Sequence, residues 1–412
     1  MAFVNLFAPA TAALRSNAAA FKVIGDNIAN AVTPGYKAAD TRFSEVLASN
    51  ASSLFDSYGG TRPVVQNFID RQGTFEQTQR AFDLAINGRG FLVSNTTVDG
   101  SGEYQLGRAG QLVATNVSNG GTDETYLTDV TGNFILGWPA DASGAITTSP
   151  NVASLEAIRI DPESIVFDPV VSTAGSFSAI LNAAEPAGTV WTGSLPVIDA
   201  EGGEHSLFLQ FTKSATPNTW DMTASVSDGT ITAGGTATLT FDATGALVTP
   251  TNQSIGIAFA GTGGATTFDL DLSATQQLSG AFDIRNFSQN GIPAGSLQSL
   301  SFDQNGVLSA LFTNGQSRAI YQLPVGIVPS ANLLEPVDGT HFAVTDASGA
   351  LTLIDASASG IAAFTPGALE QSTTDIATEF NKMILTQQSY STAVRAYTVA
   401  EEMMEVATQL KA

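Results

Sequence analysis

The chain of 412 residues contains no cysteine, which removes a disulfide framework, a thiolate zinc site and a cysteine nucleophile together. Bases are scarce. Sixteen Lys and Arg stand against 38 Asp and Glu, and the resulting formal charge of −22 repels nucleic acid and anionic lipid, so neither is expected as a partner. No run approaches the ~20 apolar residues of a spanning helix, so membrane insertion is not expected either. Pro9 and Arg15 break up the first twenty residues, which therefore do not read as a cleavable signal peptide. Histidine is represented only by His205 and His341. Each lies in or beside a strand-like run with no partner motif, and both read as cross-strand or surface residues. No Gly-x-Ser-x-Gly, Walker loop or His-Glu-x-x-His occurs. Gly261-Thr262-Gly263-Gly264 leads into Thr266-Thr267-Phe268 rather than a helix, and so reads as a loop between strands. Asp269 and Asp271 share one strand face and could attract calcium, but the EF-hand spacing is missing; a solvated acidic sheet edge is the plainer reading. No catalytic residue, cofactor site or metal site is assigned, and an enzyme is not expected.

What the sequence does hold is 43% apolar residues, only 13% charged ones and 39 glycines, the texture of a β-rich protein with many turns and two to four domains. Its two ends differ from that texture. From Ile376 the apolar positions run Ile376, Phe380, Met383, Tyr390, Val394, Tyr397 and Met404 on alternating four- and three-residue steps, with Gln387 and Glu401 at the skipped steps. A second stripe, Val399, Met403, Val406 and Leu410, follows beside it. No Gly or Pro interrupts the chain from Ala368 onward, so a helix of about 35 residues, roughly 50 Å long, is expected. The amino end answers with Phe3, Phe7, Ala10, Leu14, Asn17, Phe21, Ile24 and Ile28, stopped by Thr33-Pro34-Gly35. Seams of this kind bury themselves against another helix, which suggests that the two ends pair as a coiled coil. The alternative is that each packs separately on a globular core.

Between them the order is nested. Residues 36–75 read as a linker with extended segments. Short strand-like runs follow, among them Asp83-Leu84-Ala85-Ile86, an Asn87-Gly88 hairpin turn signal, and Phe91-Leu92-Val93. Residues 166–283 carry Lys213 as their only Lys or Arg against eleven acids, and alternate strands such as His205–Phe211, Trp220–Ala224 and Ala237–Phe241 with Gly/Asp/Thr clusters. After Phe282 the earlier style returns, with turns at Asn305-Gly306 and Asn314-Gly315, and Ser372 with Asp375 as a capping box opening the last helix. The expected fold is mixed α and β and multidomain: terminal helices from 1–35 and 370–412, a first β domain from 76–165 with 284–369, and an inserted outer domain, 166–283, of sandwich or barrel type.

One stretch is specific. Asn27-Ile28-Ala29-Asn30-Ala31-Val32-Thr33-Pro34-Gly35-Tyr36-Lys37 resembles the amino-terminal signature of the bacterial flagellar rod and hook axial protein family, with Val32 where a polar residue is more usual. Phe82 through Phe91 resembles that family's first β-domain motif, and Tyr390 through Leu410, with Glu401-Glu402-Met403-Met404, its carboxy-terminal helix. The acidic insertion favours the hook branch over the distal rod. The resemblance implies a homo-oligomeric, hollow, bendable tube of helical symmetry that passes motor torque from rod to filament. It also implies rod and hook–filament junction proteins as axial partners, a hook cap during assembly, and export through the flagellar type III apparatus to an extracellular place in the hook and basal body. Assembly residues are then expected on the seams, at Leu14, Phe21, Ile24, Ile28, Ile376, Phe380, Met383, Val394, Tyr397 and Met404, with Asn27, Asn30, Thr33, Pro34, Gly35, Tyr36 and Lys37 forming the family motif. A secreted β-rich adhesin or glycan-binding module with helical tails is the reading from another class.

Overall fold

The computed structural model describes residues 7–46, 60–119, 122–356 and 360–409, so Phe3 and Leu410 of the expected stripes lie outside the described residues. Helix α1 spans Ala8–Ala29 and helix α2 spans Ile376–Gln409. At 34 residues, α2 is about 50 Å long. Its start departs from the expected capping box. Asp375 is the cap itself, its Oδ1 accepting the N–H groups of Ala377 at 2.9 Å and Thr378 at 3.2 Å. The helix cannot begin at Ser372, because the next residue is engaged elsewhere: the Thr373 N–H donates to the Tyr36 carbonyl and its hydroxyl accepts from the Ala38 N–H.

The described chain is mostly β, with these two long helices, and divides into two compact units. The first runs to Asp161, takes Leu300–Ala310, and resumes at Arg318; the second takes Pro162–Ser299 and Leu311–Ser317. In the first unit an antiparallel hairpin, Ala39–Val46 with Gly60–Asn67, lies along α1, where the Ser16 hydroxyl donates to the Thr61 carbonyl at 2.9 Å. Two ladders join early chain to late chain, Phe75–Gln77 with Ala368–Glu370 and Leu84–Gly88 with Ala362–Pro366, and a third, Val325–Ile327 with Thr352–Ile354, lies within the late part. A larger sheet places Leu92–Asn95 between Tyr104–Gly107 and Phe134–Pro139. Leu84, Ile86, Leu127, Ile135 and Phe364 fill one core, and Phe91, Leu106, Trp138 and Phe342 another.

Asn87-Gly88 is not a hairpin turn. Both residues lie inside the strand Leu84–Gly88, paired with Ala363 and Ala362, while the following strand pairs with different neighbours. The glycine serves another purpose: at φ +103°, a Cβ there would stand 2.3 Å from the Ile361 carbonyl oxygen. Where the same dipeptide does close a hairpin, at Asn305-Gly306, the Asp303 carboxylate accepts the N–H groups of Asn305 and Val307.

The second unit is a sandwich. One sheet has the order Gly229–Ala233, Asn252–Phe259, Ala265–Asp271, Ala174–Asn182, Gln276–Leu278, with Asp283–Gln289 also on Ala174–Asn182. The other runs Val190–Ile198, Glu204–Lys213, Thr219–Val226, Thr236–Phe241, Leu247–Thr249. Their facing sides share one core in which Phe177, Phe211, Trp220 and Phe268 are fully buried. Each such side chain is worth on the order of 2–3 kcal/mol. Asp269 and Asp271 are both exposed, but their strand is interior to its sheet; they stand on its solvent face and not at an edge.

Candidate functional site

Helices α1 and α2 run antiparallel and touch along their lengths. Phe7 meets Tyr397 with ring centroids 5.2 Å apart, and Phe21 meets Tyr390 at 6.4 Å. On α1, Ser16, Asn17, Ala20, Ile24 and Asn27 are buried, whereas Leu14, Phe21 and Ile28 are half-buried. On α2 the covered positions are Glu379, Met383, Thr386, Ala393, Tyr397, Ala400 and Met404; Tyr390, 40% exposed, completes the four-three spacing through its ring contact with Phe21. Met383, Tyr390, Tyr397 and Met404 coincide with the expected stripe. At the intervening steps the buried residues are small or polar, and Ile376, Phe380 and Val394 stand exposed, Phe380 at 50%. Ala393 and Ala400 allow the two helices to approach closely, since the axial separation depends on the side chains at the contact. The large neighbours are left outside, together with Ile384, Leu385, Val399, Met403 and Val406. The helix is therefore apolar on two sides, and one chain covers only one of them.

The motif following α1 builds the joint between this helix pair and the β structure of the same unit. Asn27 Nδ2 donates to the Ala39 carbonyl at 2.7 Å, and its Oδ1 accepts the Ala39 N–H at 3.1 Å and the Tyr36 hydroxyl at 3.2 Å. Asn30 Nδ2 donates to the Asp26 carbonyl, and its Oδ1 accepts from the Thr33 hydroxyl at 3.1 Å. Asn30 thus bonds a carbonyl of the last helical turn, while Asn27 ties the helix to the start of the hairpin at Ala39. Pro34 is half-buried and Val32 is 87% exposed, so the unusual residue of the motif contributes nothing to the joint. Gly35 sits at φ +74°, and a Cβ would stand 2.4 Å from the Ala109 nitrogen. Burial, then Asp26 and Glu379, push the Tyr36 phenol above its ordinary pKa.

Lys37 points into a buried ion cluster. Its Nζ donates to one carboxylate oxygen of Glu370 and to the Arg71 carbonyl. Arg108 Nη1 donates to the other Glu370 oxygen at 3.1 Å and to the Ile86 carbonyl, and Nη2 donates to the Gly88 carbonyl at 2.7 Å. The Gly73 N–H completes the carboxylate at 2.7 Å, and the Glu370 carbonyl accepts the Gly35 N–H at 2.7 Å. All three charged side chains are buried. Burial lowers the pKa of Lys37 and of Arg108, and Glu370 offsets only part of it. Sequence reasoning missed Glu370 and Arg108, since 333 residues separate Lys37 from Glu370 and no local pattern links them.

A second cluster corrects the surface reading of His341, which is buried. Its Nε2 faces Asp129 Oδ2 at 2.8 Å and its Nδ1 faces Asp338 Oδ1 at 2.9 Å. Burial alone would lower the imidazole pKa; the two carboxylates overcome it and the net shift is upward. Burial likewise opposes ionisation of Asp129, yet hydrogen bonds from His341 and Thr131 and the imidazolium charge hold it at about 2. His205, half-buried, stacks on Phe259 and bonds Asp199 at 2.9 Å. Among the described residues no group of three or more His, Asp and Glu is arranged to hold a metal ion.

Three family profiles match the chain: Flagella basal body rod protein over residues 10–37, Flagellar basal body protein FlaE D2 domain over 171–292, and Flagellar basal body rod FlgEFG protein C-terminal over 365–410. The chain is 30% identical over 420 residues to flagellar hook protein FlgE of Brucella suis, covering 100% of both. It is 28% identical over 420 residues to flagellar hook protein FlgE of Escherichia coli, covering 98% of this chain and 100% of that one. A solved structure, that of Helicobacter pylori flagellar hook protein FlgE2, is similar at TM-score 0.44 and 14% identity, covering 68% of this chain and 96% of that one. Matched from end to end by hook proteins, with the rod-family signatures lying on its two helices and on the joint they share, this chain belongs to the bacterial flagellar hook protein family.

Proposed function

We propose that α1 and α2, paired as a coiled coil, form the wall of a hollow shaft, and that copies of the chain associate through the side of α2 that a single chain leaves open. The observation that carries this reading is the two-sided helix: Ile376, Phe380, Ile384, Leu385, Val394, Val399, Met403 and Val406 are exposed while the opposite side packs on α1. An apolar surface of that length has no use on a solitary protein, and the full-length relatives are hook proteins. In this reading residues 1–35 and 370–412 make the shaft, 36–75 the hairpin beside it, 76–165 with 284–369 the first β domain, and 166–283 the outermost domain. The motif Asn27–Lys37 fixes the angle at which the shaft helices leave the β domain. Torque passes along the shaft, and the acidic outer domain, whose single lysine is buried, presents polar and replaceable contacts as the tube bends. Rod and junction proteins, the cap and the type III export apparatus are the partners that the family resemblance implies.

The test is polymerisation. Deleting residues 1–30 leaves a folded monomer that forms no tube, and Phe380→Glu does the same while keeping every residue of the α1 contact. Tubes of normal appearance in micrographs of either variant would refute the assignment.

A further inference from the structure

Lys37 and Arg108 are both delivered to the chain's interior long before the one carboxylate that pairs with them. Glu370 accepts from Lys37 Nζ, Arg108 Nη1 and the Gly73 N–H, and its carbonyl accepts the Gly35 N–H. Asp70 acts on Lys37 only from farther away, as the last of its charge interactions. Without Glu370, the joint would hold two buried cations facing each other, and an uncompensated buried charge is among the most costly defects a fold can carry. The backbone repeats the dependence. Among the described residues, Phe75–Gln77 finds its ladder partner only in Ala368–Glu370, and the Tyr36 carbonyl its backbone donor only at Thr373.

We infer that Glu370 is a completion latch: the joint at residues 35–37, 71–73 and 86–88 sets only when residue 370 is present. A chain emerging amino terminus first, from a ribosome or an export channel, therefore keeps this joint open until nine-tenths of its sequence is out, whatever contacts α1 has already made with the hairpin of Ala39–Val46 and Gly60–Asn67. The setting of the helix pair against the β structure is thus withheld until the remainder can close over it. The device needs no polymer, so it can stand where the shaft assignment fails, and the reverse also holds.

Pulse-labelled hydrogen exchange during refolding of the full chain tests the order. The amides of Gly35, Tyr36 and Gly73 gain protection in the same kinetic phase as those of 368–371, and later than those of Leu92–Asn95 and Phe134–Pro139. At equilibrium, Glu370→Gln speeds exchange at Gly35 and Gly73 by on the order of a hundredfold, as expected for breaking a buried pair, and leaves Leu207–Phe211 of the second unit unchanged. A triple variant, Lys37→Met, Arg108→Met and Glu370→Leu, recovers protection at Gly35, whose bond is to backbone. It then gains that protection ahead of the wild-type phase, since no charge waits for its partner. Protection at Gly35 and Gly73 appearing before that of 368–371, or surviving intact in Glu370→Gln, overturns the latch. Should Glu370→Gln fail to fold, the wild-type refolding order decides alone.

Discussion

Replacing His341 with Gln isolates the charge that holds the 337–341 segment against Asp129. The magnitude follows from the geometry. Asp129 is held at about 2 against an ordinary 3.8, a preference for the ionised form worth about 2.5 kcal/mol at neutral pH, shared among His341, Thr131 and Asn133. His341 adds its own preference for the charged state from Asp129 and Asp338. Glutamine keeps one donor and loses the charge, so a loss of about 3 kcal/mol is expected at pH 5.5, near the lower bound for breaking a buried pair. The pH dependence fixes the sign. His341 binds its proton more tightly folded than unfolded, so its contribution is complete below about 6.5 and fades as pH rises through the raised folded value. Asp129 contributes above about 4 and is lost as pH falls through about 2. The cluster is therefore strongest between about pH 4 and 6.5. Calorimetry of wild type and His341→Gln at pH 5.5 and pH 9 measures the gap, which should be several degrees at the acid value and much smaller at the alkaline one. Equal gaps at the two values, or none at pH 5.5, would refute the reasoning.

Other outcomes follow from single contacts. Gly35→Ala pairs a positive φ with a clash 2.4 Å from Ala109 N and should cost on the order of 3 kcal/mol by chemical denaturation, whereas Val32→Asn, at an exposed site, should change stability by less than about 0.5 kcal/mol. Lys213 is buried over the Trp220 ring with Gln277 as its hydrogen-bond partner, and burial lowers its pKa. The folded state thus favours the neutral amine, so wild-type stability gained between pH 7 and pH 10 should vanish in Lys213→Met, which is itself neutral or stabilising by about 1 kcal/mol at pH 7. Ala393→Leu should overpack a buried step of α2 and cost about 1–3 kcal/mol, read as earlier melting of helical circular dichroism.

The helices were legible because periodicity is a local signal: a four-three stripe marks a helix whatever it packs against. Which side packs was legible only in part: Met383, Tyr397 and Met404 of the stripe lie on the contact, but Ala393 and Ala400, weak hydrophobes, take its intervening steps while Phe380 and Val394 face outward. Strands of the acidic stretch, such as Trp220–Ala224 and Ala237–Phe241, were readable from alternation and lie within observed strands. Turn chemistry was less reliable. Asn-Gly closes a hairpin at Asn305 but lies mid-strand at Asn87, where the pairing partner comes from some 275 residues downstream. The ion clusters at Glu370 and His341 left no trace, since each joins segments that only the finished fold brings together.

The ladders that tie residues 75–88 to residues 362–370 have a mechanical meaning. A pull entering at one terminus and leaving at the other is carried across these short rungs, close to where α1 ends and α2 begins. The long excursion through 162–299 hangs from that path as a side loop and bears none of the tension. Such a loop is free to lengthen, shrink or change its surface without altering how stiffly the two ends are yoked.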